Sequence, residues 1–419
     1  MSSDRDLLAS LFDAAVAAAM PEAGIRAHLP EPPRGRTVVI GAGKGAAQLA
    51  QALERAWDGP LSGVVVTRYG YGAPCERIEV LEAAHPEPDA AGLEATGRLF
   101  AAVEGLTADD LVIALICGGG SALLPAPPEG VTLEDEIALN RALLASGAPI
   151  SAMNVVRKHV SNIKGGRLAL AAAPARVASL VVSDIPGDDS WLVASGPTVP
   201  DAAGVAQARE VVRRYRLDLP QAVRDHLAGE TCAAPDPADP AFARNTVSII
   251  ASSGVSLEAA AEAAAAAGVP AAILSDAVEG EAREVARVHA AIAREVAGRD
   301  RPFARPVVLL SGGETTVTLR GQGKGGRNCE FLLSLALEIE GVAGVTALAA
   351  DTDGIDGASD AAGGIVDGGT AGRIRDKGRD PARLLEENDA WTALDLAGDL
   401  FVTGPTGTNV NDFRAILIR

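Results

Sequence analysis

Short runs of β-branched and other apolar residues alternate with amphipathic stretches along the first half of the chain. The runs TVVI, GVVVT, IEVLEA, LVIALIC and RVASLVVSD predict strands, and the stretches between them, such as 46–57 and 89–103, predict helices. A further helix is predicted over 7–20. Strands that alternate with helices are typical of a parallel sheet covered on both faces, so we predict an α/β domain here.

The same alternation continues in the second half after a break. The segment CAAPDPADPAFARN, residues 232–245, is rich in proline, aspartate and alanine and interrupts the periodic pattern, so we predict a linker there. Beyond it, TVSIIAS, PAAILSD, PVVLLSGGE and VTALAAD predict strands separated by helices. We therefore expect a first α/β domain over 1–231 and a smaller α/β domain over 246–419.

Loops rich in glycine or aspartate follow several of the predicted strands: CGGGSALL, SDIPGDD, SGGETT and ADTDGIDG. Ligands of open parallel sheets bind outside the carboxyl ends of the strands. Ligand pockets also occur preferentially at domain interfaces. We therefore expect the active site to lie in a cleft between the two domains.

The overall charge and the cysteines exclude several classes of protein. A net charge of −18 argues against non-specific nucleic-acid binding, which needs a basic surface. The four cysteines show no C-x-x-C spacing, which argues against a zinc site or a disulfide framework and favours a reducing compartment. The first residues lack a signal-peptide pattern, and the longest uncharged run, 111–128, is broken by glycine and proline. We expect a cytoplasmic protein without a membrane span.

Lysine is rare in this chain. Of the 37 basic residues only five are lysines: Lys44, Lys158, Lys164, Lys324 and Lys377. The first four lie in or beside the glycine-rich segments GAGKGA, RKHVSNIKGG and GQGKGGRN. A compact ammonium fits a crowded phosphate site that a wide guanidinium does not. The lysines are therefore candidates for anion contact, with solvated turns as the alternative.

The segment GAGKGA follows a predicted strand and opens a predicted helix. It fits the dinucleotide-binding pattern G-x-G-x-x-[G/A], but the next strand ends in Thr67 and Arg68 rather than in the acidic residue that NAD requires. Arg68 leaves an NADP site open, and no Walker A motif is present. Lys44, between Gly43 and Gly45 near a helix start, suits contact with an anion.

Further glycine-rich loops supply candidate phosphate contacts. The three glycines of CGGGSALL expose backbone N–H groups that can surround phosphate oxygens, although a plain turn is the alternative. The segment SGGETTVTLRGQGKGGRN holds two glycine pairs, a lysine and an arginine, and its glycines are costly choices for the fold alone. The candidate nucleotide-binding residues are Gly118, Gly119, Gly120, Ser121, Lys158, Gly312, Gly313 and Lys324.

Two aspartate-rich loops supply candidate metal ligands. Asp184 and Asp189 lie in SDIPGDD, and Asp351 and Asp353 lie in DTDGIDG. Loops of this kind bind Mg²⁺ through one or two carboxylates together with substrate phosphates. Asx turns and helix caps are an equally ordinary use of aspartate. His85 and His159 lie near the motifs, where either structural or catalytic roles fit.

Nine motifs in order resemble the glycerate 2-kinase family, many members of which are named hydroxypyruvate reductase. They are GAGKGA, CGGGSALL, MNVVRKHVSNIKGGRLA, SDIPGDD, ASGPT, LSGGETTVT, GKGGRN, ADTDGIDG and TGPTGTNVND, and the resemblance covers nearly the whole chain. It implies transfer of a phosphoryl group from ATP to the 2-hydroxyl of D-glycerate with a divalent metal, taken to be Mg²⁺. It also implies a Rossmann-like first domain and a key lysine and arginine at Lys44 and Arg327.

The chemistry of a kinase agrees with these residues. Phosphoryl transfer needs positioning and charge neutralisation rather than a nucleophile, which calls for cations, backbone amides and Mg²⁺ ligands. Lys44 would direct its ammonium at the transferred group or the glycerate, and Arg327 would hold the carboxylate or stabilise transition-state charge. The alternatives are an NAD(P)H-dependent hydroxypyruvate reductase and a non-enzymatic metabolite-binding regulator. The expected partners are small molecules, and a homo-oligomer is left open.

Overall fold

Two compact units make up the chain. The computed structural model describes residues 3–185, 187–229 and 232–419. The larger unit is Pro21–Ile250, and the smaller unit joins Met1–Met20 to Ala251–Arg419. Each unit contains a six-stranded sheet and helices, which confirms the predicted α/β class. Pro186 of the SDIPGDD motif and Thr231, the predicted end of the first domain, lie outside the described residues.

The sheet of the larger unit is built from strands in the order β3-β2-β1-β4-β5-β6. Neighbouring strands from β3 to β5 run parallel. This order is typical of doubly wound sheets that bind dinucleotides. The strands are β1 (Thr37–Ala42), β2 (Ser62–Arg68), β3 (Ile78–Ala83), β4 (Leu111–Cys117), β5 (Arg176–Val182) and β6 (Thr246–Ala251).

Helices cover both faces of this sheet because successive side chains of a strand point to opposite faces. Val38 and Ile40 pack with helix α4, whereas Val39 packs with helix α3 in a separate core. The helices are α2 (Pro21–Ala27), α3 (Ala46–Ala56), α4 (Ala90–Val103), α5 (Gly120–Leu123), α6 (Leu133–Ala145), α7 (Ile150–His159), α8 (Arg167–Ala172), α9 (Val205–Arg214) and α10 (Gln221–Ala228), with α1 (Asp4–Ala18) preceding them. Two 3₁₀ turns lie at Val193–Ser195 and Pro240–Phe242.

The smaller unit has a mixed sheet in the order β13-β12-β11-β14-β9-β7, in which only the pair β7–β9 is parallel. Its strands are β7 (Ala271–Ser275), β9 (Val307–Gly313), β11 (Val345–Asp351), β12 (Gly363–Asp367), β13 (Leu400–Phe401) and β14 (Asp412–Ile418); β8 (Gly280–Glu281) pairs separately with β10 (Thr315–Thr316). Its later helices are α11 (Ser253–Ala266), α12 (Ala282–Arg299), α13 (Arg327–Glu338), α14 (Thr370–Asp376), α15 (Pro381–Glu386) and α16 (Ala390–Ala397).

The structure divides the chain differently from the predicted boundaries of 1–231, 232–245 and 246–419. Helix α1 belongs to the smaller unit, where the Phe12 ring lies edge-on to Phe413 with 5.9 Å between centroids and Ser256 donates to the carbonyl of Ala15 at 2.9 Å. The segment 232–245 and strand β6 belong to the larger unit, since β6 lies next to β5 in its sheet. An amphipathic pattern shows that a segment packs, but not on which sheet.

Within the described part of the chain, no single helix is long and apolar enough to cross a membrane. Helices α1 and α2, which are bent relative to each other, pass the test when they are taken together, by length and composition alone.

Candidate functional site

The loop from β1 to α3 carries Lys44 on a backbone that is fixed at three successive residues. The N–H of Gly43 donates to the carbonyl of Val66 at 3.1 Å, and the N–H of Lys44 donates to that of Gly118 at 2.9 Å. The N–H of Gly45 points at the Cys117 sulfur, 3.2 Å away. Gly43 has φ of +136°, and a Cβ there would lie 2.3 Å from the same sulfur, so only glycine fits.

The Lys44 side chain is exposed and lies over the glycine loop that follows β4. A Cβ on Gly119 would lie 2.9 Å from Lys44 Cγ and 3.1 Å from His85 Nε2, so the three residues adjoin. Burial, then the charges of Lys44 and Arg68, lower the pKa of His85 below its ordinary 6.5. His85 is therefore neutral at neutral pH beside two cations.

Among the residues that the structure describes, Lys44 forms no ion pair. The other three lysines of the glycine-rich segments are each held by a carboxylate: Lys158 by Asp201, Lys164 by Glu136 at 3.1 Å and Lys324 by Asp360 at 3.0 Å. Lys158 and Lys164 are also buried, and burial lowers the pKa of Lys158. The structure thus distinguishes Lys44, which remains accessible to a ligand, from three lysines whose ammonium groups already contact a carboxylate.

The three glycines after β4 allow close approach on three sides. A Cβ on Gly118 would lie 2.0 Å from an Asp184 carboxylate oxygen, and one on Gly120 would lie 2.6 Å from the Ala194 methyl. Gly119 has φ of +83°. The structure therefore brings together Lys44, the glycine loop and Asp184, all predicted from the sequence. Asp189 is exposed beyond the loop, and its backbone carbonyl accepts from Leu192 N at 2.8 Å.

Ser121, the last predicted member of this loop, is tied to a buried polar network that the sequence did not reveal. Its hydroxyl lies 2.7 Å from the hydroxyl of Ser195, which donates to Asn154 Oδ1 at 2.9 Å. Ala194 and Ser195 have φ of +52° and +60°, a conformation that costs L-residues roughly 1–2 kcal/mol each. Such strain concentrates at functional sites. The ASGPT motif, which contains Ala194 and Ser195, is the sequence signal that could have indicated this network.

In the smaller unit, Arg327 begins helix α13 and is surrounded by carboxylates. Its Nε donates to Asp412 at 2.6 Å, its Nη2 to Asp351 at 2.6 Å and its Nη1 to Glu314 at 3.1 Å. Burial alone would lower the pKa of Arg327, but Asp412 and Asp351 outweigh it and raise that pKa. Arginine has five N–H donors, so two remain for a ligand.

A second, fully buried arginine supports this cluster. Arg414 contacts the far oxygen of Asp412, and Asn328 Nδ2 donates to the near one at 2.8 Å. Burial lowers the pKa of Arg414, while Asp412 opposes that shift. Asp412 thus lies between two guanidinium groups and fixes the position of Arg327. Asp412 is the last residue of the TGPTGTNVND motif but was not named as a site residue, and no local pattern distinguishes Arg414 from ordinary residues of a strand inside the sheet, so sequence reasoning missed both roles.

The predicted metal ligands Asp351 and Asp353 adjoin each other in this cluster. Burial raises the pKa of Asp351 to about 8, with repulsion from Asp353 and Asp412 adding to it and Arg327 opposing it. The oxygens of Asp351 accept from Arg327 and from the N–H of Asp353, whose own carboxylate accepts from Ile355 N at 2.8 Å. Within the described ranges, no three His, Cys, Asp or Glu side chains group so as to hold a metal.

The remaining predicted contacts of the smaller unit are explained by packing. Gly312 and Gly313 lie buried inside β9, where a Cβ would be 2.0 Å from Ser253 Oγ and 2.3 Å from the backbone of Val278, respectively. Gly321, Gly323 and Gly326 likewise approach Glu387, Asp389 and Asp356. The Lys324 ammonium lies 3.4 Å from the centre of the Trp391 ring. These glycines therefore have packing roles in the fold, and a contact with the nucleotide stays a prediction.

These features define an α/β protein. In its larger unit, a lysine and a glycine loop lie at the carboxyl ends of the parallel strands, where they can contact an anion. Comparison with known proteins narrows this class. The model described as Domain of unknown function (DUF4147) matches residues 7–228, and that of the MOFRL family matches 307–412.

The D-glycerate 2-kinase of Thermotoga maritima is 39% identical over 99% of this chain and 98% of its own length. The crystal structure of glycerate kinase (EC 2.7.1.31) from Thermotoga maritima at 2.70 Å resolution is similar with a TM-score of 0.91, at 39% identity and with 99% of each chain covered. A relative from Agrobacterium vitis, provisionally named hydroxypyruvate reductase, is 53% identical over 99% of this chain and 95% of its own length. The chain therefore belongs to the glycerate 2-kinase family.

Proposed function

We propose that this protein is a kinase that transfers the γ-phosphoryl group of ATP to the 2-hydroxyl of D-glycerate, giving 2-phosphoglycerate and ADP. The kinase names of its full-length relatives support this activity. In the chain itself, one observation carries the proposal. Lys44 is an exposed cation on a rigid loop, at the carboxyl end of a parallel strand and against a three-glycine turn.

Lys44 would neutralise charge on the transferred phosphoryl group. Such transfer proceeds with charge spread over the phosphoryl oxygens, so a preorganised cation stabilises the transition state more than the ground state. The backbone N–H groups of Gly118, Gly119 and Gly120 would contact the phosphates of ATP. The strand order of the larger unit supports this assignment, because in doubly wound sheets ligands bind outside the carboxyl ends of the strands.

Arg327 would act on the same reaction through the two N–H groups that its three carboxylate contacts leave over. These suffice for the carboxylate of glycerate or for an oxygen of the transferred group. Because Asp412 and Asp351 fix its guanidinium, little reorganisation is needed when the substrate binds. His85, neutral beside Lys44, would accept the proton that leaves the 2-hydroxyl.

A divalent metal fits the larger unit best at Asp184. Its carboxylate lies directly against Gly118, in the space that a Cβ would fill, next to the proposed phosphate contacts. Mg²⁺, when bound with ATP, would neutralise phosphate charge, and it needs only one or two protein carboxylates for this. Asp351 and Asp353 are candidates in the smaller unit, where their carboxylates already accept hydrogen bonds. Asp189 is exposed beyond the glycine loop.

Parallel assays separate the kinase from the reductase interpretation. The purified protein is incubated with D-glycerate, ATP and Mg²⁺ while ADP release is followed, and separately with hydroxypyruvate and NADH or NADPH while nicotinamide absorbance is followed. The proposal predicts glycerate-dependent ADP release and unchanged nicotinamide absorbance. Nicotinamide oxidation without ADP release would overturn the proposal. Absence of both activities would favour a metabolite-binding regulator.

A further inference from the structure

The hydroxyl of Ser121 has a defined orientation, because the network behind it fixes where its proton points. We infer that Ser121 Oγ presents lone pairs to the glycine loop and ligates the divalent cation that accompanies the nucleotide. This inference rests on the proposed kinase function and changes the role of Ser121 from a phosphate contact to a metal ligand. Ser195 is then a positioning residue that acts through Ser121.

The contacts of the Asn154 amide determine its orientation. A guanidinium can only donate, and Arg157 Nη1 lies 3.1 Å from Asn154 Oδ1. On the other side of the amide, Nδ2 donates to the carbonyl of Leu192 at 2.9 Å, and a carbonyl can only accept. Both contacts require Oδ1 to face Arg157, so the amide has one orientation.

The direction of the two serine hydrogen bonds follows from that orientation. Ser195 Oγ lies 2.9 Å from Asn154 Oδ1, an acceptor, so the hydroxyl of Ser195 donates its single proton there. The bond of 2.7 Å between Ser121 Oγ and Ser195 Oγ then needs a proton from Ser121. Ser195 and Asn154 are buried, so water does not compete for these bonds.

With its proton directed inward, the Ser121 oxygen can only accept on its partly exposed side. The oxygens of a fully ionised triphosphate also only accept, so Ser121 cannot donate to them in this arrangement. A hard divalent cation is the natural partner of such an oxygen, as in phosphate-binding loops whose Ser or Thr hydroxyl binds Mg²⁺. A carboxylate of the same region, Asp184, lies against Gly118 of the same loop.

Binding of Mn²⁺ to the full-length protein saturated with ADP tests the inference without turnover. Electron paramagnetic resonance gives the Mn²⁺ dissociation constant, and calorimetry with EDTA gives the affinity for metal-free ADP. Ser121→Ala should weaken Mn²⁺ binding by about 10-fold or more and leave metal-free ADP binding unchanged. Ser195→Ala should weaken Mn²⁺ binding less, because Ser121 can then rotate. Ser62→Ala, at the exposed amino end of β2, is the matched control and should match the wild type.

A change of metal preference tests direct ligation. Ser121→Cys should bind Cd²⁺ at least about 10-fold more tightly relative to Mg²⁺ than the wild type does, because thiolates prefer soft metals. Unchanged Mn²⁺ affinity in folded Ser121→Ala, or weakened binding of metal-free ADP instead, would overturn the inference. Wild-type protein that binds no ADP at all would overturn the kinase proposal itself, and the inference with it.

Discussion

Lys44 and Arg327 are cations in opposite surroundings. Lys44 lies exposed and forms no ion pair among the described residues, whereas Arg327 contacts three carboxylates. Lys44 stands on a fixed loop backbone with its ammonium available to a ligand, whereas the guanidinium of Arg327 is held in one direction by three acids. The two residues should therefore respond differently to substitution, Lys44 mainly through turnover and Arg327 through both turnover and stability.

Loss of Lys44 should lower kcat about 10²–10³-fold, the usual cost of removing one preorganised donor to a charged transition state. Lys44→Arg should not restore activity, because Gly119 and His85 crowd the side chain and the guanidinium is wide. Glycerate-dependent ADP formation by Lys44→Ala and Lys44→Arg measures this. The control is Lys377→Ala, which removes an exposed lysine at the carboxyl end of helix α14 and should keep wild-type turnover. Near wild-type kcat in folded Lys44→Ala would count against the mechanism.

Loss of Arg327 should destabilise the fold as well as the reaction. Arg327→Ala leaves the buried carboxylate of Asp412 paired with Arg414 alone, which should lower the free energy of unfolding by about 3 kcal/mol. Urea denaturation of the wild type and the variant measures the loss. Unchanged stability of Arg327→Ala would contradict this picture of the cluster.

The pKa of His85 should report its cationic neighbours. Burial, Lys44 and Arg68 hold this pKa below 6.5, so the ring stays neutral at neutral pH and gains a proton only as the pH falls below 6.5. Lys44→Met removes one cause and should move the pKa upward, towards 6.5. NMR titration of the His85 ring protons measures both values. Arg55→Met, in α3 with its guanidinium on Glu22, should change nothing. A wild-type pKa at or above 6.5 would be inconsistent with the structure.

At the scale of elements, the two loops that follow β1 and β4 form one unit of structure. The backbone of the Lys44 loop bonds to Gly118 and packs on Cys117, so the end of β4 fixes the loop after β1. This arrangement could be predicted in part, because β-branched runs, glycines and helix patterns are local signals. Asp184 was a predicted site residue, but the contacts of His85, Ser195 and Asp184 with the loop could not be predicted, since these side chains reach it from distant segments.

A side chain at Gly119 should disrupt this pair of loops. Gly119→Val adds a β-branched side chain at φ of +83°, against the Lys44 side chain, and should weaken ATP binding while leaving the fold intact. Calorimetry on the variant measures the affinity. Gly147→Val is the matched control, because Gly147 has φ of +68° and nothing within 4 Å of its Cβ position, so it bears the same kind of backbone strain without the contact. Equal ATP affinity in folded Gly119→Val and wild type would remove the loop from the nucleotide site.

At the scale of the whole chain, the sequence predicted the α/β class and failed on the limits of the units. Helix α1 was assigned to the first domain because it precedes it, yet Phe12 packs on Phe413 near the other end of the chain. Strand β6 follows the proline-rich segment but extends the sheet of the larger unit. Lys158 is a related case, since the ion pair that it forms with Asp201 joins two segments and was not indicated by any motif. Local patterns identify elements, whereas long-range packing decides which sheet and which partner each one meets.

The activity that we propose for this chain is phosphorylation of the 2-hydroxyl of D-glycerate. Phosphorus NMR of the purified protein with D-glycerate, ATP and Mg²⁺ tests it directly, because the product signal reports the carbon that carries the phosphate. A phosphate on C2 couples to a single proton and gives a doublet, whereas one on C3 couples to two protons and gives a triplet. We expect a doublet whose intensity grows in step with the amount of ADP formed. A triplet, or no new phosphomonoester while NADH is oxidised with hydroxypyruvate, would contradict it.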